Sequence, residues 1–200
     1  MNTFILASGN AHKAEEFKVL FGETLSVQAA PKSIEVDETG ATFTENALLK
    51  AKAYFETFKT PALADDSGLV VEALPDILGV QSARFAPELP GYAEKCAKLL
   101  DLMKSKENRK AYFVCVLCFY KSPDEVYFFE GRLPGSIGIE LKGSHGFGYD
   151  PVFIPERKEN DGLSLAELPE WKNHFSHRAR AVQASLQFFK ESMDKVQKKP

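Results

Sequence analysis

Hydrophobic positions along the chain change period at short intervals, alternating between compact apolar runs and stripes of helical spacing. Phe4 to Ala7 are apolar and stop at Ser8-Gly9-Asn10, after which Ala14, Phe17, Leu20 and Phe21 share one helical face. The pattern predicts strand, glycine turn, helix. Thr42 and Glu45 have the spacing of a capping box, and Phe43, Ala47, Ala51, Tyr54, Phe55 and Phe58 follow at helical intervals, so this second helix should lie on a sheet. Pro61 to Ala64 reads as a buried strand ending at Asp65-Asp66-Ser67-Gly68, beyond which Leu69-Val70-Val71 resumes an apolar run.

A third helix is predicted over Tyr92 to Met103 from Ala93, Cys96, Ala97, Leu99, Leu100 and Met103, and it runs into a charged connector, Lys104 to Lys110, too short for an independent linker. Ala111 to Tyr120 and Glu125 to Leu133 are β-rich and are joined by Lys121-Ser122-Pro123-Asp124, a hairpin turn; the pair is expected to form a second lobe with its neighbours. Phe175, Ala179, Val182, Leu186, Phe189 and Met193 alternate steps of four and three, the mark of one helix buried along a single stripe, and Lys195 to Pro200 should fray beyond it. No internal repeat or low-complexity segment interrupts this order. The class that fits is α/β, a mixed sheet with flanking helices, in a single domain spanning residues 1–200.

Composition narrows the picture. At 200 residues, 44% hydrophobic and 26% charged, the chain can bury a substantial core, and no run approaches the roughly 20 apolar residues of a membrane helix. Twenty-five basic against 28 acidic residues give a net charge of -3, which excludes nucleic-acid binding through a broad basic surface and leaves open a small polyanion held locally. Three cysteines, Cys96, Cys115 and Cys118, are an odd number with no disulfide framework, and Met1-Asn2-Thr3-Phe4-Ile5-Leu6-Ala7 lacks the basic and apolar regions of a signal peptide. A cytoplasmic protein with reduced thiols and no membrane partner is expected.

Five segments have chemistry suited to such a polyanion or to a metal ion beside it. Ser8-Gly9-Asn10-Ala11-His12-Lys13 places a turn at a helix mouth, where unpaired N–H groups and the helix dipole favour an anion; the alternative is an ordinary helix capped by Asn10 with a solvated lysine. Asp37-Glu38-Thr39-Gly40 and Asp65-Asp66-Ser67-Gly68 are two acidic loops whose convergence would suit Mg2+, although turn chemistry alone accounts for such residues. Asp65 and Asp66 would face opposite ways in a strand, so at most one should enter a given site. Gly143 to Pro151 sets three glycines around Phe147, Tyr149 and Asp150, a loop able to lie against a flat ligand or to serve the core. Ser176-His177-Arg178, with Lys172 upstream, reads as a second helix start capped by Ser176, favourable to an anion or simply an exposed basic turn. His174-x-x-His177 and Cys115-x-x-Cys118 each lack the second half of a zinc site.

Taken in order, Ser8-Gly9-Asn10-x-x-Lys13, Glu38-Thr39-Gly40-x-Thr42-Phe43-x-Glu45-Asn46-Ala47-x-x-Lys50-Ala51, Ala64-Asp65-Asp66-Ser67-Gly68-Leu69, Ser82-Ala83-Arg84, Gly146-Phe147-Gly148-Tyr149-Asp150-Pro151 and Ser176-His177-Arg178 resemble the inosine/xanthosine triphosphate pyrophosphatase, or Ham1-like, family over nearly the whole chain. The resemblance implies an elongated α/β fold with two lobes around a central cleft. It implies Mg2+-dependent hydrolysis of ITP, dITP and XTP to the monophosphate and pyrophosphate, by a homodimer that keeps such nucleotides out of DNA and RNA. Carried over by motif, Ser8, Gly9, Asn10, Ala11, His12 and Lys13 would cradle the phosphates, Asp66 would be the general base, and Glu38 and Asp66 would hold the metal. Ser67, Phe147, Gly148, Tyr149, Asp150, Lys172, His177 and Arg178 would bind the nucleotide, with Arg178 or a backbone N–H donating to the purine O6 and Phe147 or Tyr149 stacking on the base. The chain departs from the family at Pro75-Asp76-Ile77-Leu78-Gly79, where relatives carry paired glycines, at Trp171, and at Leu163-Ser164-Leu165.

Overall fold

A computed structural model describes residues 3–159 and 161–197, and the side chains of that last stretch as far as 192. Met1 and Asn2 of the N-terminal run, the side chain of Met193 and residues 198–200 of the expected tail lie outside the described residues; the backbone is helical to Gln197.

The elements run β1 (Phe4–Leu6), α1 (Ala11–Phe21), β2 (Val27–Ala29), α2 (Phe43–Phe58), β3 (Ala62–Val71), α3 (Tyr92–Leu102), β4 (Lys110–Ser122), β5 (Glu125–Ile137), β6 (Phe153–Pro155), α4 (Pro169–Phe175) and α5 (His177–Gln197), with short 3-10 turns at Gly79–Arg84, Asp150–Val152 and Leu165–Glu167. The strands hydrogen-bond in the order β2-β1-β3-β4-β5-β6. β1 is parallel to β2, with Phe4 opposite Val27, and to β3, with Ile5 opposite Ala62, whereas β6 runs antiparallel to β5 with Ile154 opposite Ser136. The sheet is thus mixed, as expected.

The chain divides into two compact units, one made of Met1–Asp66, Cys115–Gly131 and Arg178–Pro200, the other of Ser67–Val114 and Arg132–His177. In the first, the predicted face of α1 supplies Phe17 and Phe21, which pack with Phe4, Leu63, Leu117 and Phe119. Phe4 and Phe21 both meet the Phe119 ring edge-on, at centroid distances of 5.2 and 6.2 Å. In the second, Leu69, Val71, Leu99, Met103, Leu133 and Phe153 form a separate core. The departing loop is accommodated there: Leu74 and Leu78 are buried in that core, and Gly79 supplies the one positive φ, +69°.

Three expectations are corrected. Asp65-Asp66-Ser67-Gly68 does not end a strand: β3 runs unbroken from Ala62 to Val71 with both aspartates buried. The β4–β5 hairpin does not belong to the second unit alone, since residues 115–131 pack with the N-terminal segment and only its base, before 115 and after 131, joins the other core. Phe175 ends α4 rather than beginning the last helix and is 48% exposed, while Ala179 and Val182 of α5 are buried as the stripe requires. The turn at Ser176 breaks the helix between them, with extended backbone at ψ 164°.

Candidate active site

Each unit gathers part of the expected constellation. In the first, Asn10 caps α1: its Oδ1 accepts from the backbone N–H of His12 at 3.0 Å and of Lys13 at 3.2 Å, and its own N–H donates to Ser8 Oγ at 3.2 Å. The Ser8–Lys13 turn is therefore prearranged, with Gly9, Asn10, Ala11 and His12 exposed. The Lys13 ammonium is not solvated but lies 2.8 Å from Asp65 Oδ2.

Strand alternation sends the two aspartates of β3 to different partners. Asp65, 1% exposed, is bonded by Lys13 and stands 3.4 Å from Arg178 Nη2, and Arg178 also pairs with Glu16. Burial opposes ionisation of Asp65, but Lys13, Arg178 and Lys50 outweigh it and hold the carboxyl well below the usual carboxylate range. Arg178 is the largest fully buried side chain among the described residues, with its guanidinium 5.4 Å from the Phe17 ring centroid. A guanidinium so enclosed and paired with two carboxylates serves as an internal counter-ion in the first unit.

Asp66 meets α2 instead. Asn46 Nδ2 donates to its Oδ2 at 3.2 Å and Lys50 Nζ lies 3.6 Å from its Oδ1, so two residues one helical turn apart address its two oxygens. Lys50 also bonds Glu38 Oε1 at 2.7 Å, which brings the two acidic segments to one cation. Burial pushes the Asp66 carboxyl up to about 6, with Lys50 opposing and Glu38 adding to the rise. Asp37, by contrast, is exposed. Among the described residues no group of three or more His, Cys, Asp or Glu could hold a metal ion, and the convergent carboxylates are the pair Glu38 and Asp66.

In the second unit Asp150 organises the glycine-rich loop. Its Oδ2 accepts from the Phe147 N–H at 2.9 Å and from Lys172 Nζ at 2.8 Å, and the Lys172 ammonium lies 4.7 Å from the Phe147 ring centroid. Gly146, at φ +77°, is required twice over, because a Cβ there would fall 2.1 Å from Asp150 Oδ2. Gly148 carries a positive φ of +67° in the same loop. Tyr149 is buried, donates its hydroxyl to the Ser82 carbonyl at 2.7 Å and meets Tyr92 edge-on, so it braces the loop, while Phe147 is half-buried. His177 opens α5 and is stacked on Phe113 at 4.8 Å and 13°. Lys172, Ser176, His177 and Arg178 are all buried, which removes the reading of an exposed basic turn. Ser67, half-buried in β3, begins this unit one residue after Asp66.

Asp65, Glu16, Asn46 and Lys50 were given no role by motif reasoning. The sequence does carry a signal for two of them: Asn46 and Lys50 are polar residues four apart, each beside an apolar position of the α2 stripe.

The fold is a mixed sheet with flanking helices, and the family model for the Ham1 family matches residues 4–188: the chain belongs to the Ham1 family. Among curated relatives, the dITP/XTP pyrophosphatase of Aquifex aeolicus (strain VF5) is 43% identical over 93% of this chain and 96% of its own length. That of Listeria monocytogenes serotype 4b (strain F2365) is 39% identical over the whole of both chains. Among solved structures, the Staphylococcus aureus Ham1 protein superposes with a TM-score of 0.83 at 34% identity, over 95% of this chain and 99% of that one.

Proposed function

We propose that this chain hydrolyses ITP, dITP and XTP to the nucleoside monophosphate and pyrophosphate, removing these nucleotides before they enter DNA or RNA. The observation that carries the reading is the setting of Asp66: a buried carboxylate gripped by Asn46 and Lys50 beside Glu38, in a chain 43% identical to a dITP/XTP pyrophosphatase. A carboxyl that titrates at about 6 is largely ionised at neutral pH yet basic enough to accept a proton from an attacking water. Lys50 contributes positive charge beside that water, and the capped Ser8–Lys13 turn presents backbone and hydroxyl groups to a phosphate chain.

Glu38 and Asp66 are the residues that would hold Mg2+. Their oxygens are the hard donors that ion takes, one or two carboxylates with waters and phosphate oxygens completing its shell, and both already face one cationic group in Lys50. When bound, the ion supplies charge neutralisation on the triphosphate. Phe147, half-buried and held by Asp150 and Lys172, offers a face to the purine, while Asp150 and Lys172 fix the loop that carries it. A homodimer in the cytoplasm completes the proposal, and light scattering of the purified protein tests its oligomeric state.

Product analysis across ITP, XTP, dITP, ATP and GTP is the deciding assay. Pyrophosphate released from ITP, XTP and dITP well above ATP and GTP is expected, because a pocket paired to a 6-oxo, N1-H edge leaves its polar groups unpaired against adenine. Orthophosphate release would identify a different hydrolase, and no release a silent nucleotide binder. Asp66→Asn should abolish most turnover while leaving the protein folded, and near-normal ITP hydrolysis by that variant overturns the role of Asp66.

A further inference from the structure

We infer that Asn46 is a positioning residue that locks the Asp66 carboxylate in register with the Glu38–Gly40 loop; this rests on the reading of Asp66 as the general base. Asn46 sits in the first turns of α2, four residues beyond its cap at Thr42, with its side chain fully buried. Neither helix propensity nor burial favours asparagine there, since alanine is the better helix former and a buried amide is costly unless both its ends are bonded. Both ends are bonded. Oδ1 accepts from the Gly40 N–H at 2.8 Å and Nδ2 donates to Asp66 Oδ2 at 3.2 Å.

The two bonds join separate parts of the site. Gly40 lies two residues past Glu38, and its approach to α2 is so close that a Cβ there would sit 2.7 Å from Asn46 Oδ1 and 2.7 Å from Glu45 Cβ. The loop is then tied to α2 at two points, Glu38 to Lys50 and Gly40 to Asn46. At the strand, Lys50 addresses Asp66 Oδ1 and Asn46 addresses Oδ2, so each carboxylate oxygen has a donor from α2. Lys50 is a long chain with a rotatable charge, whereas the short amide of Asn46 on a helix fixes direction. Removing Asn46 should leave Asp66 present and attracted to Lys50 but without the bond that fixes the direction of Oδ2.

Substitution at position 46 separates this role from simple folding. Asn46→Ala should lower kcat for ITP about 10- to 100-fold, the range for partners that orient a metal-binding group, with KM changed less than about threefold. Mn2+ binding to the nucleotide-free protein, followed by electron paramagnetic resonance, should weaken by a similar factor. Asn46→Asp keeps the acceptor for the Gly40 N–H but replaces the donor to Asp66 by a second carboxylate, whose repulsion turns Asp66 away, so it should lose kcat as well. Should the alanine variant melt below the assay temperature, the aspartate variant, which keeps the loop bond, carries the same comparison. Wild-type kcat in either folded variant, or a loss confined to thermal stability or to KM, overturns the inference. Full activity in Asp66→Asn would instead overturn the underlying reading, so the two failures are distinguishable.

Discussion

The strongest single test of the internal ion cluster is Asp65→Asn. Asp65 is 1% exposed and its Oδ2 stands 2.8 Å from Lys13 Nζ and 3.4 Å from Arg178 Nη2. At an effective dielectric constant near 20 these contacts correspond to gross attractions of about 6 and about 5 kcal/mol, most of which offsets the cost of burying the charges. Substituting asparagine removes the attraction and leaves Arg178 buried with Glu16 as its remaining carboxylate among these partners. Breaking a buried pair in this way costs about 3–5 kcal/mol. For a chain of this length that is a fall in Tm of about 6–20 °C, measurable by calorimetry, with a matching drop in urea midpoint at unchanged m. The pH dependence has a definite sign. Because the folded-state pKa of Asp65 is depressed, its contribution is complete above the ordinary aspartate value of about 4 and is lost as pH falls from there toward the folded value. The gap between wild type and variant should therefore be constant from pH 6 to 8 and narrow by about 1.4 kcal/mol per unit below pH 4. A variant within about 1 kcal/mol of wild type at pH 7, the exposed-pair value, or a gap that widens in acid, refutes the cluster as drawn.

Two further outcomes follow from other parts of the structure. Gly146→Ala forces a non-glycine residue to φ +77° and drives a methyl into Asp150, so it should cost at least about 1–2 kcal/mol in thermal melts and raise KM for ITP more than it lowers kcat; an unchanged KM would show that the loop does not touch the nucleotide. Cys96, Cys115 and Cys118 are buried thiols that desolvation pushes up to about 12, so at pH 8 about one in ten thousand is ionised, and a disulfide exchange reagent should label none in the native protein and three after denaturation; fast labelling of any native thiol contradicts their burial.

What the sequence made legible was the local periodicity, and what it hid were the long-range partners of charged groups. The face of α1, the Thr42–Glu45 capping box and the hairpin turn follow from spacings of three, four and two, and each appears where those spacings put it. The interior of β3 is not legible locally, because Asp-Asp-Ser-Gly has the composition of a turn. Nothing local reveals that Lys13, Arg178, Asn46 and Lys50, between 16 and 113 residues away in sequence, would satisfy the two carboxylates and let the strand continue. Ser176-His177-Arg178 was ambiguous for the same reason: an exposed basic turn and a buried one have identical sequences until the ring of Phe113 and the carboxylates of Asp65 and Glu16 are placed against them. The charged residues at which local reasoning fails are thus the ones with buried polar partners. In a chain of net charge -3, Lys13, Lys50 and Arg178 of the first unit are set against Asp65, Asp66, Glu16 and Glu38, and Lys172 of the second against Asp150, so each unit neutralises its own interior charges without any broad basic surface.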